Sequence, residues 1–189
     1  VPMHGWRRSM VWRDTQLPWI PTSPNIPRHD SPLYYASTGL FGEVAGGSGL
    51  SIGGVFKRPF ECVSAPWLDA DRLSRQMNSY GLPGVTFPTF AVNHEGRPYR
   101  GVELKFTDPA RAPLVAINLY LHDAVKRVTR RDLLAEAVKH GKNFQVFDRI
   151  VGTGATREAL LAGRSVGEIV RGWNLGEEAF RAKRQKYLL

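Results

Sequence analysis

VTFPTFAVNHEGRPYRGVELKFTDPARAPLVAINLYLHDAV (85–125) contains both of the periods on which the fold class turns. Val102, Leu104 and Phe106 alternate with Glu103 and Lys105, the two-residue period of a strand with one buried face. Val85 to Val92 reads as its partner, and NHEGRP (93–98) as the turn between them, so an antiparallel pair is predicted. After Ala112 the period changes. Leu114, Ile117, Leu121 and Val125 recur along one face of a helix.

Toward the C-terminus the helical period continues. Thr129 to Asp132 resembles a cap, followed by apolar Leu133, Leu134, Ala137 and Val138. Phe144, Val146 and Phe147 read as core anchors in a link. Shorter helices are predicted over 156–162, 166–172 and 175–186, with Gly163 and Gly172 separating them. Toward the N-terminus, Leu68, Leu73 and Met77 predict a helix stopped by Gly81 and Pro83, and Cys62 reads as a buried strand residue. The stretch GLFGEVAGGSGLSIGG (39–54) reads as a flexible or ligand-facing loop, without the GK[ST] of a phosphate-binding loop. Leu17 to Pro27 cannot be helical, because its prolines fix φ and push their predecessors to extended geometry. The sum is an α+β fold: a small mixed or antiparallel sheet, long ordered N-terminal loops and several packed C-terminal helices.

With 189 residues, 42% of them hydrophobic, the chain can bury one full core, and residues 1–189 are read as a single domain. Its one cysteine excludes an intramolecular disulfide and a thiolate metal cage. No run approaches the roughly 20 apolar residues of a membrane span, and no signal-peptide pattern is visible. Val1 in place of Met leads to the expectation of further chain before it. A formal net charge of +9 favours polyanionic neighbours. The basic clusters at Lys126–Arg131 and Arg181–Lys186 fall on predicted helices, where a solvated face is the ordinary reading. No DNA- or RNA-binding motif accompanies them, so nucleic acid ranks last.

The five histidines (His4, His29, His94, His122 and His140) are scattered with no carboxylate at ligand spacing, and neither a metal site nor a cofactor is expected. Glu43 in the Gly-rich stretch and Glu61 after Arg58-Pro59-Phe60 are the carboxylates of interest. The ordinary reading makes Glu43 solvated and Glu61 a partner of Arg58 or of a backbone amide. The functional reading places both along a polar sugar cleft, since glycoside hydrolysis commonly employs paired carboxyl groups. Trp19, Tyr34, Tyr35 and Trp67 can stack on pyranose faces, while Ser23, Asn25 and Thr38 can hydrogen-bond hydroxyl or acetamido groups. Taken singly, each aromatic is as well explained by the core, but several fall in predicted loops.

GWRRSM (5–10), LPWIPTSPNIP (17–27), TGLFGE (38–43), KRPFE with APW (57–61, 65–67), LPGVTF (82–87), GVELKFTDP (101–109), FDRIVGT (147–153) and the closing W…F…R…YLL (173–189) occur in this order. Together they resemble the C-terminal part of the NamZ-type exo-β-N-acetylmuramidases, bacterial peptidoglycan hexosaminidases. The resemblance implies an enzyme that releases N-acetylmuramic acid from non-reducing glycan ends outside the cytoplasm. It also implies an N-terminal Rossmann-like domain, absent from this chain, with the active site in the cleft between the two domains. The family's acid/base glutamate sits in an SPEHG-like motif of that other domain, and this sequence has no such motif. A tyrosine early in the C-terminal part is the other suspected catalytic group; by motif order it is Tyr34 or Tyr35, with Tyr35 favoured. Where many members carry LLEGTN followed by EGRGTTRPFE, this chain has LFGEVAGGSGLSIGGVFKRPFE (40–61).

On this reading Tyr35 and Glu43 are the catalytic candidates. Trp19, Ser23, Asn25, Tyr34, Thr38, Arg58, Glu61 and Trp67 are the substrate-binding ones, with Arg58 suited to a lactyl carboxylate. The expected partners are a peptidoglycan-derived glycan and the N-terminal domain, in cis or in trans. The alternative is a non-catalytic module that binds cell-wall glycan or a protein partner.

Overall fold

The structure, a computed structural model, describes residues 3–173 and 175–188. Val1, and Leu189 of the closing motif, lie outside the described residues. The elements are α+β, with the strands before most of the helices as predicted and one long helix ahead of them that was not.

The first helix overturns one expectation. α1 runs Ser31–Ala45, so Tyr34, Tyr35, Thr38 and Glu43 stand on a helix, and only the residues after Ala45 form the Gly-rich loop. Gly39 and Gly42 each cost a helix interior about 1 kcal/mol relative to alanine, which is why the stretch reads as loop. The deciding term is burial: Leu40, Phe41, Val44 and Ala45 are all in the core. Gly42 also admits a neighbour, because a Cβ there would stand 2.6 Å from the Ile52 side chain. Pro32 sits in the first turn, where its missing N–H is harmless.

β1 (Cys62–Ala65), β3 (Thr89–His94) and β4 (Arg97–Glu103) make an antiparallel sheet of order β1-β4-β3. Val63 faces Val102 and Thr89 faces the same valine from the other side. A second small pair joins β2 (Val85–Thr86) to β5 (Lys105–Phe106). The two strands predicted from the alternation are therefore each split. Pro88 interrupts the first: it has no N–H for the ladder, while its carbonyl accepts from Glu103 N–H at 3.0 Å. Leu104 interrupts the second by turning its N–H to the Glu61 carbonyl, 2.9 Å away. The predicted turn narrows to Glu95–Gly96, both at positive φ, as two-residue hairpin loops require.

α2 (Ala70–Ser79) ends just before Gly81, as its pattern implied, and Asp69 caps it by accepting from Arg72 N–H at 2.9 Å. α3 (Leu114–Thr129) carries the predicted stripe into the centre, with Ile117, Leu121 and Val125 fully buried. It packs against α1, α2 and α7 (Val166–Trp173). Asp132 caps α4 (Leu133–Lys139) by accepting from Ala135 N–H. The link expected at 144–147 is itself the start of α5 (Gln145–Val151); Phe147 is buried, whereas Val146 is exposed. α6 (Ala155–Leu161) follows, and Gly163 separates it from α7 as predicted. Gly172 lies within α7; the break before α8 (Glu177–Arg184) falls at Gly176, with φ 91°. α8 buries no residue.

Candidate functional site

The first half of α1 and the loop before β1 meet at one face. Glu61 is 7% exposed, and its two oxygens are taken by two guanidiniums. Arg28 Nη1 donates to Oε1 at 2.5 Å and Arg58 Nε to Oε2 at 3.1 Å. Arg58 Nη2 also reaches Glu103 on β4 at 2.7 Å, and Arg28 Nε reaches Asp30 at 2.9 Å. The result is an alternating row, Asp30–Arg28–Glu61–Arg58–Glu103. Burying Glu61 is affordable because both lone-pair sets are met by charged donors. The row holds three carboxylates and two guanidiniums, so its donors are largely committed, and Arg58 keeps Nη1 outside these bonds.

The loop that delivers this row is tightly determined. Gly53 has φ 93°, and a Cβ there would stand 2.0 Å from the Arg58 carbonyl oxygen, so no other residue fits. Lys57 and Phe60 also hold positive φ, 58° and 70°. Thr38, fully buried on α1, donates its hydroxyl to the Phe60 carbonyl at 2.9 Å, which ties helix to loop.

Tyr34 and Tyr35 diverge from α1 beside this row. Tyr34 is half-buried, its ring 5.1 Å from that of Phe106, with the Arg28 guanidinium 5.8 Å from its centroid. Burial, reinforced by Asp30 and Glu61, pushes its phenol above the usual tyrosine range, against the pull of Arg28 and Arg58. Tyr35 is 51% exposed, its ring 4.7 Å from Phe60. Tyr34, Tyr35, Thr38, Arg58 and Glu61 are thus brought together. Of the same cluster, sequence reasoning missed Arg28 and Glu103 as partners and Phe60 as an individual residue. Arg28 stands 33 residues from Glu61, a separation no local pattern reports.

The other candidates lie elsewhere. Glu43 is eight residues beyond Tyr35 on α1, about 12 Å along the axis, and faces Lys142 at 3.6 Å. Trp67 donates Nε1 to the Ser48 carbonyl at 2.9 Å and lies under the Arg131 guanidinium, 4.2 Å away. Lys142 and Arg131 line an open cleft between the loop after α1 and α4. Tyr35 and Glu43 therefore do not form one constellation in this chain. Trp19 stands edge-on to Trp12 at 5.3 Å, its Nε1 buried with no hydrogen-bond partner among the described residues. Ser23 accepts from Asn25 N–H at 3.2 Å, and its carbonyl from Ile26 N–H at 3.0 Å, so both polar residues shape the turn they stand in. One open cleft is lined by the loop after α1 and by α4, and another by residues 3–17.

Comparison with known proteins bears on this face. Residues 33–189 match the model of the C-terminal part of the exo-beta-N-acetylmuramidase NamZ, and residues 1–30 match that of its N-terminal part. Arg28 and Glu61 thus pair across the junction of the two matches. The chain is 33% identical over 195 aligned positions to the peptidoglycan beta-N-acetylmuramidase NamZ of Bacillus subtilis, covering 100% of this chain and 44% of the relative. It also resembles a crystal structure of a DUF1343 family protein from Bacteroides fragilis, with TM-score 0.84 and 30% identity over 98% of this chain and 48% of that one. The chain therefore spans just under half the length of each relative.

Proposed function

This chain belongs to the NamZ family of exo-β-N-acetylmuramidases, and on that footing we propose that it forms one wall of a cleft that grips a muramyl glycan end of peptidoglycan. The facing wall, which carries the acid/base glutamate, comes from a preceding Rossmann-like domain in cis or in trans. The observation that supports this reading is exposed Tyr35 packed on Phe60, whose chain neighbour Glu61 holds Arg28 and Arg58.

In this reading Tyr35 Oη donates a hydrogen bond to the glycan next to the bond that is cut. Arg58 Nη1, unspent in the row, turns to the lactyl carboxylate of N-acetylmuramic acid. Glu61 positions both guanidiniums, with one carboxylate oxygen accepting from each. Glu43 and Trp67 belong to the cleft beside α4, at a distance from the scissile bond. The setting is outside the cytoplasm, where peptidoglycan is; no helix among the described residues is long and apolar enough to cross a membrane.

The test is release of N-acetylmuramic acid from a chromogenic muramide by a protein carrying both domains. Tyr35→Phe is expected to lower turnover at least about tenfold with the fold intact. Unchanged turnover removes Tyr35 from the mechanism. Glycan binding with no release, even with the preceding domain present, favours the non-catalytic alternative.

A further inference from the structure

Two locally unfavourable choices converge on one pair of rings. Phe60 holds φ at 70°, a left-handed conformation that a bulky L-residue rarely adopts. Both of its backbone groups are locked: its N–H donates to the Ile52 carbonyl at 2.6 Å and its carbonyl accepts from Thr38 Oγ1 at 2.9 Å. Gly39 stands in the interior of α1, one turn beyond Tyr35, where glycine is a poor helix former. A Cβ at Gly39 would come within 2.8 Å of Tyr35 Cε2, so the glycine is what lets the tyrosine ring lie along the helix. The two rings thus held have centroids 4.7 Å apart and planes inclined at 57°. Tyr35 is nevertheless 51% exposed. Phe60 is only part-buried, so its strained backbone holds a ring beside the exposed Tyr35 rather than in the core, an arrangement explained by binding.

We propose that Tyr35 and Phe60 form a stacking platform for one hexopyranose ring, and the inference rests on the glycan reading above. The apolar C–H face of the sugar lies on the two rings. Its polar edge turns to the neighbouring row, where carboxylates and guanidiniums alternate and so meet hydroxyl donors and acceptors alike. Arg28 and Arg58 are largely taken up by Asp30, Glu61 and Glu103, which leaves Arg58 Nη1 for a carboxylate on the sugar. An amphipathic ring with an apolar face and a polar edge fits both parts of the surface. Phe60 is thereby a substrate-binding residue in its own right, beyond its place in the RPFE motif.

The experiment is an NMR titration of the 189-residue chain with the disaccharide N-acetylmuramyl-β-1,4-N-acetylglucosamine, alongside thermal unfolding. In the unaltered chain the ring resonances of Tyr35 and Phe60 are expected to shift saturably, with saturation transfer strongest at one C–H face of the sugar. Phe60→Leu keeps the apolar bulk but not the aromatic face, and is expected to weaken binding about tenfold, the ratio set by roughly 1.4 kcal/mol. Phe60→Gly is expected to weaken binding as much while the melting temperature stays level or rises, because the backbone strain is relieved. Wild-type affinity in Phe60→Leu overturns the platform and leaves the glycan reading standing. A lowered melting temperature in Phe60→Gly assigns the ring to packing and also overturns it. Absence of saturable binding to the unaltered chain overturns both readings.

Discussion

The side-chain amide of Asn118 is built into the main chain of α1. Its Oδ1 accepts from the Phe41 N–H at 3.0 Å, and its Nδ2 donates to the Ala36 carbonyl at 2.8 Å. Asn118 is 2% exposed and sits on α3, so one buried side chain bonds the α1 backbone at two points and clamps two helices together. The clamp lies next to the turn that carries Tyr35 and Thr38, and it sets where that turn stands relative to the core.

Replacing Asn118 by leucine, which is similar in size, removes both bonds to the α1 backbone and the clamp they make. The expected loss is about 2–4 kcal/mol of unfolding free energy, measured by urea denaturation. A change below about 0.5 kcal/mol would show that α1 closes its own ladder when the amide is gone.

Glu61→Gln keeps the shape and removes the charge between Arg28 and Arg58. Breaking a buried ion pair on one side is costly. The side chains of Arg28 and Arg58 are 45% and 39% exposed and regain water, which brings the expected cost down to about 1–2 kcal/mol. Arg28→Ala should lose little more once Glu61 is already changed; full additivity in the double-mutant cycle would sink the coupling.

Asp132 carries the pH dependence. A hydrogen bond from His122, then Lys126 and the Ala135 N–H, hold its carboxyl far below the usual carboxylate range, against the opposing effect of burial. A group lowered in the folded state contributes stability above its unfolded value, near 3.9, and that contribution is lost as pH falls below it. Unfolding free energy is expected to drop between about pH 4 and 2, and Asp132→Asn should flatten that limb. At neutral pH Asp132→Ala should cost about 1 kcal/mol through the lost cap alone. An acid limb of unchanged slope in Asp132→Asn would assign the effect to other groups.

Cys62 is fully buried at the start of β1, and burial pushes its thiol up to about 12. A disulfide reagent at pH 8 should leave the native chain unmodified and label one thiol on unfolding. Rapid native labelling would mean that β1 opens readily.

Gly53→Ala tests the loop that carries Arg58 and Phe60. Its Cβ would meet the Arg58 carbonyl oxygen at 2.0 Å with φ at 93°, so a loss of about 2–4 kcal/mol is expected. A neutral result would mean that the loop has a second, equally stable path.

Much of the scaffold was legible. The stripe of Ile117, Leu121 and Val125, the helix stopped before Gly81 and the hairpin at Glu95–Gly96 follow from periodicity and turn chemistry, signals that reach only a few residues. Tyr35, Arg58 and Glu61 were legible as candidates; Arg58 pairs with Glu61, and Tyr35 packs on Phe60, the residue before it. Their partner Arg28 was not, because the ion pair joins residues that approach only after α1 docks. Placing Glu43 with Tyr35 failed for a related reason: a stretch read as loop lets distant residues fold together, whereas a helix holds them at a fixed rise.

What the sequence determined by itself was the α+β class, the run of strands before helices, and a set of motifs specific enough to name a family. Only the tertiary structure decided that Ser31–Ala45 is helical, which of its residues meet the loop before β1, and that Phe60 turns its ring toward Tyr35. The physical reason is that α1 is a poor helix on its own. Its glycines, serines and threonine are compensated by burial against α3 and by the Asn118 clamp, and neither exists until the chain has folded.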